Sequence, residues 1–362
     1  MSANNANTPV RIGIIGAGNI VKTRHLPGLA GIPGVEVVAV CNRSRESSQA
    51  VAGEWNIPHV EDTPEALLAR DDINAVVIGT PPYRHRDLTL AALDAGKHVF
   101  CQARMSRDVA EARDMLKAAQ AHPGLVTMLC PAPHVQPGQA FVERLLREGT
   151  LGDLRLVRLQ HMTDSALSPE APYHWRMDKS LSGYNLMTLG MYAEIMQRWV
   201  GKARTVNATG TRFVDDRLDA ASGKRLPVHA PETLAVSGLL ENGAHYVYTF
   251  TAVAAHGPTD QFEIYGTRGT LTYDVPNHVI RLGLVGGAST TRVGKVMAKE
   301  PPPVIEIPQA ERGDWRVEEE FVSAIRNGTP VFPNFADGEA YMEFVEAAAH
   351  ALERGATVTL PL

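Results

Sequence analysis

Gly13-Ile14-Ile15-Gly16-Ala17-Gly18-Asn19-Ile20-Val21 is the stretch that decides the fold. The β-branched run Val10 to Ile15 leads into it, and two glycines one residue apart, Gly16 and Gly18, come directly after that run. Strand, tight turn and helix in that order are the context in which a glycine pair marks a dinucleotide loop. Gly16 permits the turn. Gly18, with no Cβ, lets the backbone approach a pyrophosphate, whose charge the amides and dipole of the helix start at Asn19 and Ile20 would stabilise. Val21 stands where a third glycine is usual and predicts looser packing of that helix.

Further along the chain, Val35 to Cys41 and Ala75 to Ile78 repeat the short apolar run with helix-like segments between, giving βαβαβ. Lys97 to Cys101 and Val126 to Cys130 add two strands, each after an amphipathic stretch. The absence of alternation predicts parallel strands covered on both faces. The character changes at Pro131-Ala132-Pro133, with Pro137-Gly138 close behind. Beyond it, Leu154 to His161, Thr205 to Thr211, Leu234 to Leu240, Ala244 to Ala252, Gln261 to Tyr265 and Thr270 to Tyr273 read as strands of an open, largely antiparallel sheet. Helices are predicted at Ala140 to Glu148, Leu186 to Val200, Trp315 to Asn327 and Gly338 to Arg354, the last packing back on the first domain. Asp215 to Pro231 and Gly283 to Pro303, rich in Gly, Pro and charge, read as surface loops. The fold class is therefore α/β: a Rossmann doubly wound parallel sheet over 9–130, then an α+β domain over 131–362 for substrate and oligomerisation.

Composition agrees with two ordinary cores. The 362 residues are 44% hydrophobic and 21% charged with a formal net charge of -5, and a chain of this length divides into domains of roughly 130 and 230 residues. No run of Lys or Arg forms a basic stripe, which excludes a nucleic-acid or anionic-membrane partner and favours a small molecule. The start MSANNANTPV has no secretory pattern and no later stretch approaches a membrane span, so a cytoplasmic location is expected. Cys41, Cys101 and Cys130 lack metal-ligand spacing and read as buried reduced thiols, with no metal site.

The second strand ends in Cys41-Asn42-Arg43-Ser44, where an NAD enzyme usually offers a carboxylate to the ribose hydroxyls. Arg43 and Ser44 instead suit a ribose 2'-phosphate, which favours NADP(H). NAD(H) held through Asn42 is the alternative.

Gly79-Thr80-Pro81-Pro82, His85 and Ala95-Gly96-Lys97-His98-Val99, then Gly149-Thr150-Leu151-Gly152, Gly266-Thr267-Arg268-Gly269-Thr270 and Asp314 to Asn327 before Gly328-Thr329-Pro330, come in an order that resembles the Gfo/Idh/MocA family of NAD(P)-dependent sugar and cyclitol dehydrogenases. The resemblance runs nearly end to end. It implies a nicotinamide ring at the domain cleft, flanked by the Thr80-Pro81 turn and Gln102, with His85 either touching the cofactor or capping the loop at a helix start. It also exposes departures. The family's Glu-Lys-Pro is here Gln102-Ala103-Arg104, and its helical Asp and His, four residues apart, are here Thr188 and Tyr192.

Taking a proton from a carbinol as hydride leaves needs a base in reach. Tyr192 is the candidate, its phenol lowered by a cation for which Arg104 is the nearest choice; Tyr184 completes the catalytic set. Tyr173-His174-Trp175-Arg176 and Ser182-Gly183-Tyr184-Asn185 carry sugar-binding chemistry: a Trp175 face for C–H groups, and donors and acceptors on His174, Arg176, Asn185 and Thr188. His134 falls where the family often has an arginine near the hinge. Three functions are compatible with these residues: a dehydrogenase or reductase of a sugar-like or cyclitol secondary alcohol or ketone; a redox-neutral enzyme using transient oxidation for glycoside cleavage, elimination or epimerisation; and a non-catalytic dinucleotide or sugar sensor. An open sheet covered on one face predicts a homodimer or homotetramer through the other.

Overall fold

The computed structural model describes residues 9–132, 136–286, 290–293, 296–299 and 301–362. Pro133 and His134 lie outside the described residues. In chain order the strands are β1 (Val10–Ile15), β2 (Val35–Cys41), β3 (His59–Val60), β4 (Ala75–Ile78), β5 (His98–Cys101), β6 (Thr127–Leu129), β7 (Leu154–Met162), β8 (Ala203–Thr211), β9 (Asp216–Asp219), β10 (Lys224–Pro227), β11 (Thr233–Leu240), β12 (His245–Thr251), β13 (Gln261–Gly266), β14 (Gly269–Asp274), β15 (Val279–Leu284), β16 (Thr290–Val293), β17 (Val296–Lys299), β18 (Val304–Ile305) and β19 (Val358–Thr359). The α-helices are α1 (Leu26–Ala30), α2 (Arg45–Trp55), α3 (Pro64–Leu68), α4 (His85–Asp94), α5 (Val109–Ala121), α6 (Gln136–Arg147), α7 (Lys179–Ser182), α8 (Leu189–Val200), α9 (Val317–Asn327) and α10 (Phe335–Arg354).

The chain divides into two compact units. Unit 1 comprises the residues up to Pro131 with Ser180–Gly183 and Arg316–Met342. Its sheet runs β3-β2-β1-β4-β5-β6, every pair parallel. Val10, Ile12, Ile14, Ala75, Val76, Val77, Ile78 and Val99 are all buried, because helices cover both faces and leave no solvent side to alternate with. Strand order reverses beside β1, so the loops after β1 and β4 open a crevice at the strands' carboxyl ends. Side chains start the helices: Ser44 Oγ accepts from Ser47 N at 3.2 Å, Thr63 Oγ1 from Ala66 N at 3.1 Å and Asp108 Oδ1 from Glu111 N at 2.8 Å. The predicted strand from Lys97 begins one residue later, at His98, because the Lys97 amide donates back to the Ala92 carbonyl of α4 at 2.9 Å. α9 joins this unit through the side chain of Glu318 on His25 and through Arg326 Nη2, 2.8 Å from the Pro33 carbonyl.

Unit 2 holds Ala132–Lys179, Tyr184–Trp315 and Glu343–Leu362. Its sheet is ordered β18-β15-β14-β13-β7-β12-β11-β8-β19. Only β7 and β12 pair in parallel; the other neighbours are antiparallel. Here the alternation is clear. Val157 and Leu159, Tyr246, Tyr248 and Phe250, and Phe262 and Ile264 are buried on one face, against Trp199 and Tyr192 of α8 with ring centroids 5.1 Å (Trp199–Phe262) and 5.6 Å (Tyr192–Phe250) apart. α8 starts at Leu189, three residues later than predicted, since Met187 has a left-handed φ of 48° that no helix accommodates.

Two stretches read as loops contain strands. β9 and β10 pair within 215–231, and β16 pairs with β17 within 283–303. Polar composition misleads in the first because one of its charges is internal. Arg217 is 0% exposed; it donates to the carbonyls of Ala166, Ser168 and Ala171 and pairs with Glu232. Glu232 in turn accepts from the amides of Phe213 and Val214 at 2.8 and 3.1 Å.

Removing one partner of a buried, hydrogen-bonded ion pair leaves the other charge uncompensated. Glu232→Ala is expected to cost about 3–5 kcal/mol in urea unfolding, whereas Arg217→Met with Glu232→Leu should recover most of it. Equal losses in both would refute the account of this hairpin.

Candidate functional site

The loop after β1 is built for close approach. Gly16 has φ +87° and its amide donates to the Cys41 carbonyl at 2.9 Å. A Cβ on it would lie 2.8 Å from the Thr80 amide nitrogen, so the loops after β1 and β4 meet backbone to backbone. Val21, expected to loosen the helix, packs its Cγ2 where a Cβ on Gly79 would sit, at 2.5 Å; a glycine on the facing strand end accommodates the missing third glycine. Gly18 and Asn19 are exposed, with Ile20 half-buried, and a π-helical turn, Val21–His25, carries the helix on into α1. First-turn amides have no intrahelical acceptor.

These residues fit a dinucleotide on one further observation. Thr80 Oγ1 is buried beside Gly16 with no hydrogen-bond partner among the described residues, an atom that a ligand would satisfy. Pro81 comes next and leads into the short 3-10 turn Pro82–Arg84. Asn42 is already engaged: Oδ1 accepts from Ala17 N at 2.6 Å, and Nδ2 donates to Ser47 at its carbonyl and hydroxyl, 3.2 and 3.0 Å away. It therefore braces the glycine loop and is no free amide for a ribose. Arg43 is exposed and Ser44 caps α2.

His85 is corrected. Expected beside the cofactor or as a cap, it is 0% exposed, with Nε2 2.6 Å from the Thr80 carbonyl and Nδ1 3.0 and 3.1 Å from those of Arg104 and Met105. It ties the two loops together and has no surface left for a ligand. Gln102 is held by a chain that sequence reading missed: its side-chain nitrogen meets His25 Nε2, and His25 Nδ1 meets the Glu318 carboxylate. The carboxylate can only accept, so the ring proton sits on Nδ1 and the Gln102 amide donates to Nε2. Arg104 is buried in the same unit.

In unit 2 the expected catalytic tyrosine has company. Tyr192 is buried; its hydroxyl donates to Asp260 and lies 3.0 Å from His161 Nδ1, which is 2.5 Å from Asp260 Oδ1. Burial first, then the Asp260 charge, push the phenol well above its ordinary value. That is opposite in direction to the lowering expected from a cation. His161 and Asp260 escaped sequence reading, although period-2 alternation places His161 on the buried face with Val157 and Leu159.

The sugar-binding stretch is partly self-satisfied. The Arg176 guanidinium covers one face of Trp175, 4.5 Å from the ring, and His174 Nδ1 accepts from Arg176 N at 3.2 Å. The Trp175 face offered to sugar C–H groups is thus reduced to one. Tyr184 sits between the Lys179 ammonium, 4.5 Å away, and the edge of His350, 5.5 Å away. Asn185 is buried, and Thr188 Oγ1 is buried with no partner among the described residues. Cys41, Cys101 and Cys130 form no disulfide and are buried; burial raises the Cys41 thiol to about 11 and Cys101 well above its usual value, which makes both poor nucleophiles. Among the described residues no group of three His, Cys, Asp or Glu could hold a metal, and no helix is long and apolar enough to cross a membrane.

Residues 10–129 match the family profile described as oxidoreductase family, NAD-binding Rossmann fold, and residues 140–272 match the GFO/IDH/MocA C-terminal domain. The chain is 23% identical over 391 aligned positions to levoglucosan dehydrogenase of Pseudarthrobacter phenanthrenivorans, covering 97% of this chain and 98% of that one. It is 25% identical to inositol 2-dehydrogenase of Rhizobium meliloti, covering 95% and 97%. A structure of levoglucosan dehydrogenase in complex with NADH and L-sorbose superposes with a TM-score of 0.84 at 23% identity, over 97% of this chain and 99% of that chain, which shows the shared fold.

Burial holds the His85 imidazole below its ordinary 6.5, the surrounding carbonyls opposing. The unfolded chain therefore takes up this proton first, and the stability His85 contributes is present above about pH 6.5 and lost as the pH falls below it. His98, likewise lowered by burial, adds the same sign. The expected outcome is a Tm that drops on acidification in wild type and drops less in His85→Gln; parallel curves would contradict it.

Proposed function

We propose, from the premise that this chain belongs to the GFO/IDH/MocA oxidoreductase family, that it moves hydride between a nicotinamide dinucleotide and a secondary alcohol or ketone of a sugar-like or cyclitol substrate. The observation that carries the reading is the glycine loop at the reversal of strand order, with the unpartnered Thr80 hydroxyl buried beside it. When bound, the nicotinamide supplies the hydride acceptor or donor. Gly16, Gly18, Asn19 and Ile20 receive the pyrophosphate, and Thr80, Pro81 and Gln102 border the remainder of the dinucleotide. NADP(H) is the favoured form, because no carboxylate occupies 42–44, the Asn42 amide is engaged, and Arg43 and Ser44 remain exposed; NAD(H) is the alternative. His174, Trp175, Arg176, Tyr184, Asn185 and Thr188 are the substrate-binding set.

Relatives named for levoglucosan and inositol support the substrate class. Three cysteines outside any disulfide suit the reducing cytoplasm. The face of the unit 2 sheet opposite α8 carries half-buried Leu156, Arg158, Gln160 and Tyr265 and exposed Val247, which supports a homodimer or homotetramer through that face. Light scattering is expected to report two or four copies, and a monomer would overturn this assembly.

Absorbance at the reduced-nicotinamide band should change stoichiometrically when levoglucosan, myo-inositol or a related polyol is added with NADP+. Product released with no net change would point to the redox-neutral chemistry instead, and binding without turnover to a sensor. Arg43→Ala should weaken NADPH about 10–100-fold, the worth of charge-assisted bonds to a phosphate, and leave NADH nearly untouched. Equal effects on both would favour NAD(H).

A further inference from the structure

We propose that His161 is the group that takes the proton from the substrate hydroxyl, an inference that rests on the oxidoreductase reading above. Ala103, Thr188 and Tyr192 leave the family's three ionisable positions without a base, and the geometry of unit 2 points to where one has arisen.

β7 presents Val157, Leu159 and His161 to the face that α8 covers; the first two are buried hydrocarbon and the third is an imidazole at the strand's end. Phe250 and Tyr192 flank the ring at centroid distances of 6.3 and 5.2 Å. Asp260 Oδ1 lies 2.5 Å from Nδ1, and the Tyr192 hydroxyl donates to the same carboxylate. A carboxylate only accepts, so Nδ1 carries the ring proton and Nε2 carries the lone pair. Nε2 makes no hydrogen bond among the described residues. Of the three side chains the imidazole keeps the most surface, 17% against 9% for Asp260 and 1% for Tyr192. A buried acid therefore fixes the tautomer of a ring whose other nitrogen is open.

A second observation points to a ligand at the start of α8. Thr188 precedes Tyr192 by one helical turn, which puts both on one face of the helix at its start, and Thr188 Oγ1 is buried with no partner among the described residues. A substrate oxygen bonded to Nε2 and to this hydroxyl would satisfy both.

The step balances. The alcohol O–H bond breaks and its proton goes to Nε2; the C–H electron pair leaves as hydride to NAD(P)+, and the carbonyl forms. The alcohol is oxidised and NAD(P)+ reduced. The charge of Asp260 stabilises the imidazolium, as a triad aspartate does, and the reverse reaction returns the proton. Asp260 and Tyr192 are positioning residues; neither exchanges a proton with substrate.

The test has two parts. In protein labelled with [15N]histidine and free of cofactor and substrate, the resonance missing from His161→Gln should show an Nδ1-protonated neutral ring, and Asp260→Ala should move it to the Nε2-protonated form. On the polyol that wild type oxidises fastest, His161→Gln and His161→Asn should lose about 10²–10⁴ in kcat, with NADPH affinity unchanged and part of the rate restored by added imidazole. Wild-type kcat in both variants, or an Nε2-protonated ring in wild type, overturns the inference alone. Wild type silent toward the whole panel overturns the oxidoreductase reading and the inference with it.

Discussion

Everything at the dinucleotide end depends on how closely the loops after β1 and β4 approach. The Gly16 carbonyl lies where any side chain on Gly79 would begin, and the Thr80 backbone lies where any side chain on Gly16 would begin. Two glycines let two backbones touch, and that contact sets the crevice, leaves the Thr80 hydroxyl buried with nothing to bond among the described residues, and gives Val21 a smooth surface to pack against. Asn42 and His85 then secure the arrangement from either side, the first holding Ala17 and the second clamping Thr80 to the turn at Arg104 and Met105. Residues that look like ligand groups in a linear reading are, in space, the frame around the ligand.

Unit 2 is arranged the opposite way. Its nine-stranded sheet buries a face that is hydrocarbon and aromatic almost throughout, and the unit also buries two clusters of ionisable side chains, Arg217 of the separate β9–β10 hairpin with Glu232, and His161 with Asp260. The first commits both terminal guanidinium nitrogens to carbonyls and a carboxylate, a staple for a hairpin. The second leaves one ring nitrogen without a partner among the described residues and keeps its imidazole partly exposed. Burial of ionic groups in low dielectric is costly unless each is bonded, and it is this partial exposure that separates the two clusters.

The sequence showed these features unevenly, for physical reasons. Strands buried on both faces are uninterrupted apolar runs, so β1, β2 and β4 could be read to the residue, whereas β3 spans only His59 and Val60 at an edge and has too few residues to show a pattern. The hairpin of β9 and β10 was hidden because a buried Arg217 looks like a solvated one until Glu232 is seen beside it. Position 192 was legible as a departure from the family pattern, but the protonation of Tyr192 is governed by burial first and then by Asp260, 68 residues further on, and no local pattern carries that. His161 was within reach of alternation alone; it stands two residues past Leu159 in a strand whose buried face is otherwise apolar.

The chain joining Gln102 to His25 and His25 to Glu318 has a consequence in time as well as in space. His25 lies just past the glycine loop, yet the carboxylate that receives its ring proton lies 293 residues further along the chain. A nascent chain that has left the ribosome only as far as Pro131 holds the whole parallel sheet but lacks α9, so the His25 imidazole is without the Glu318 carboxylate and Gln102 without a fixed ring to bond. The last link of this unit is thus supplied by residues made long after its sheet, and Gln102 gains a fixed partner only once α9 has been made.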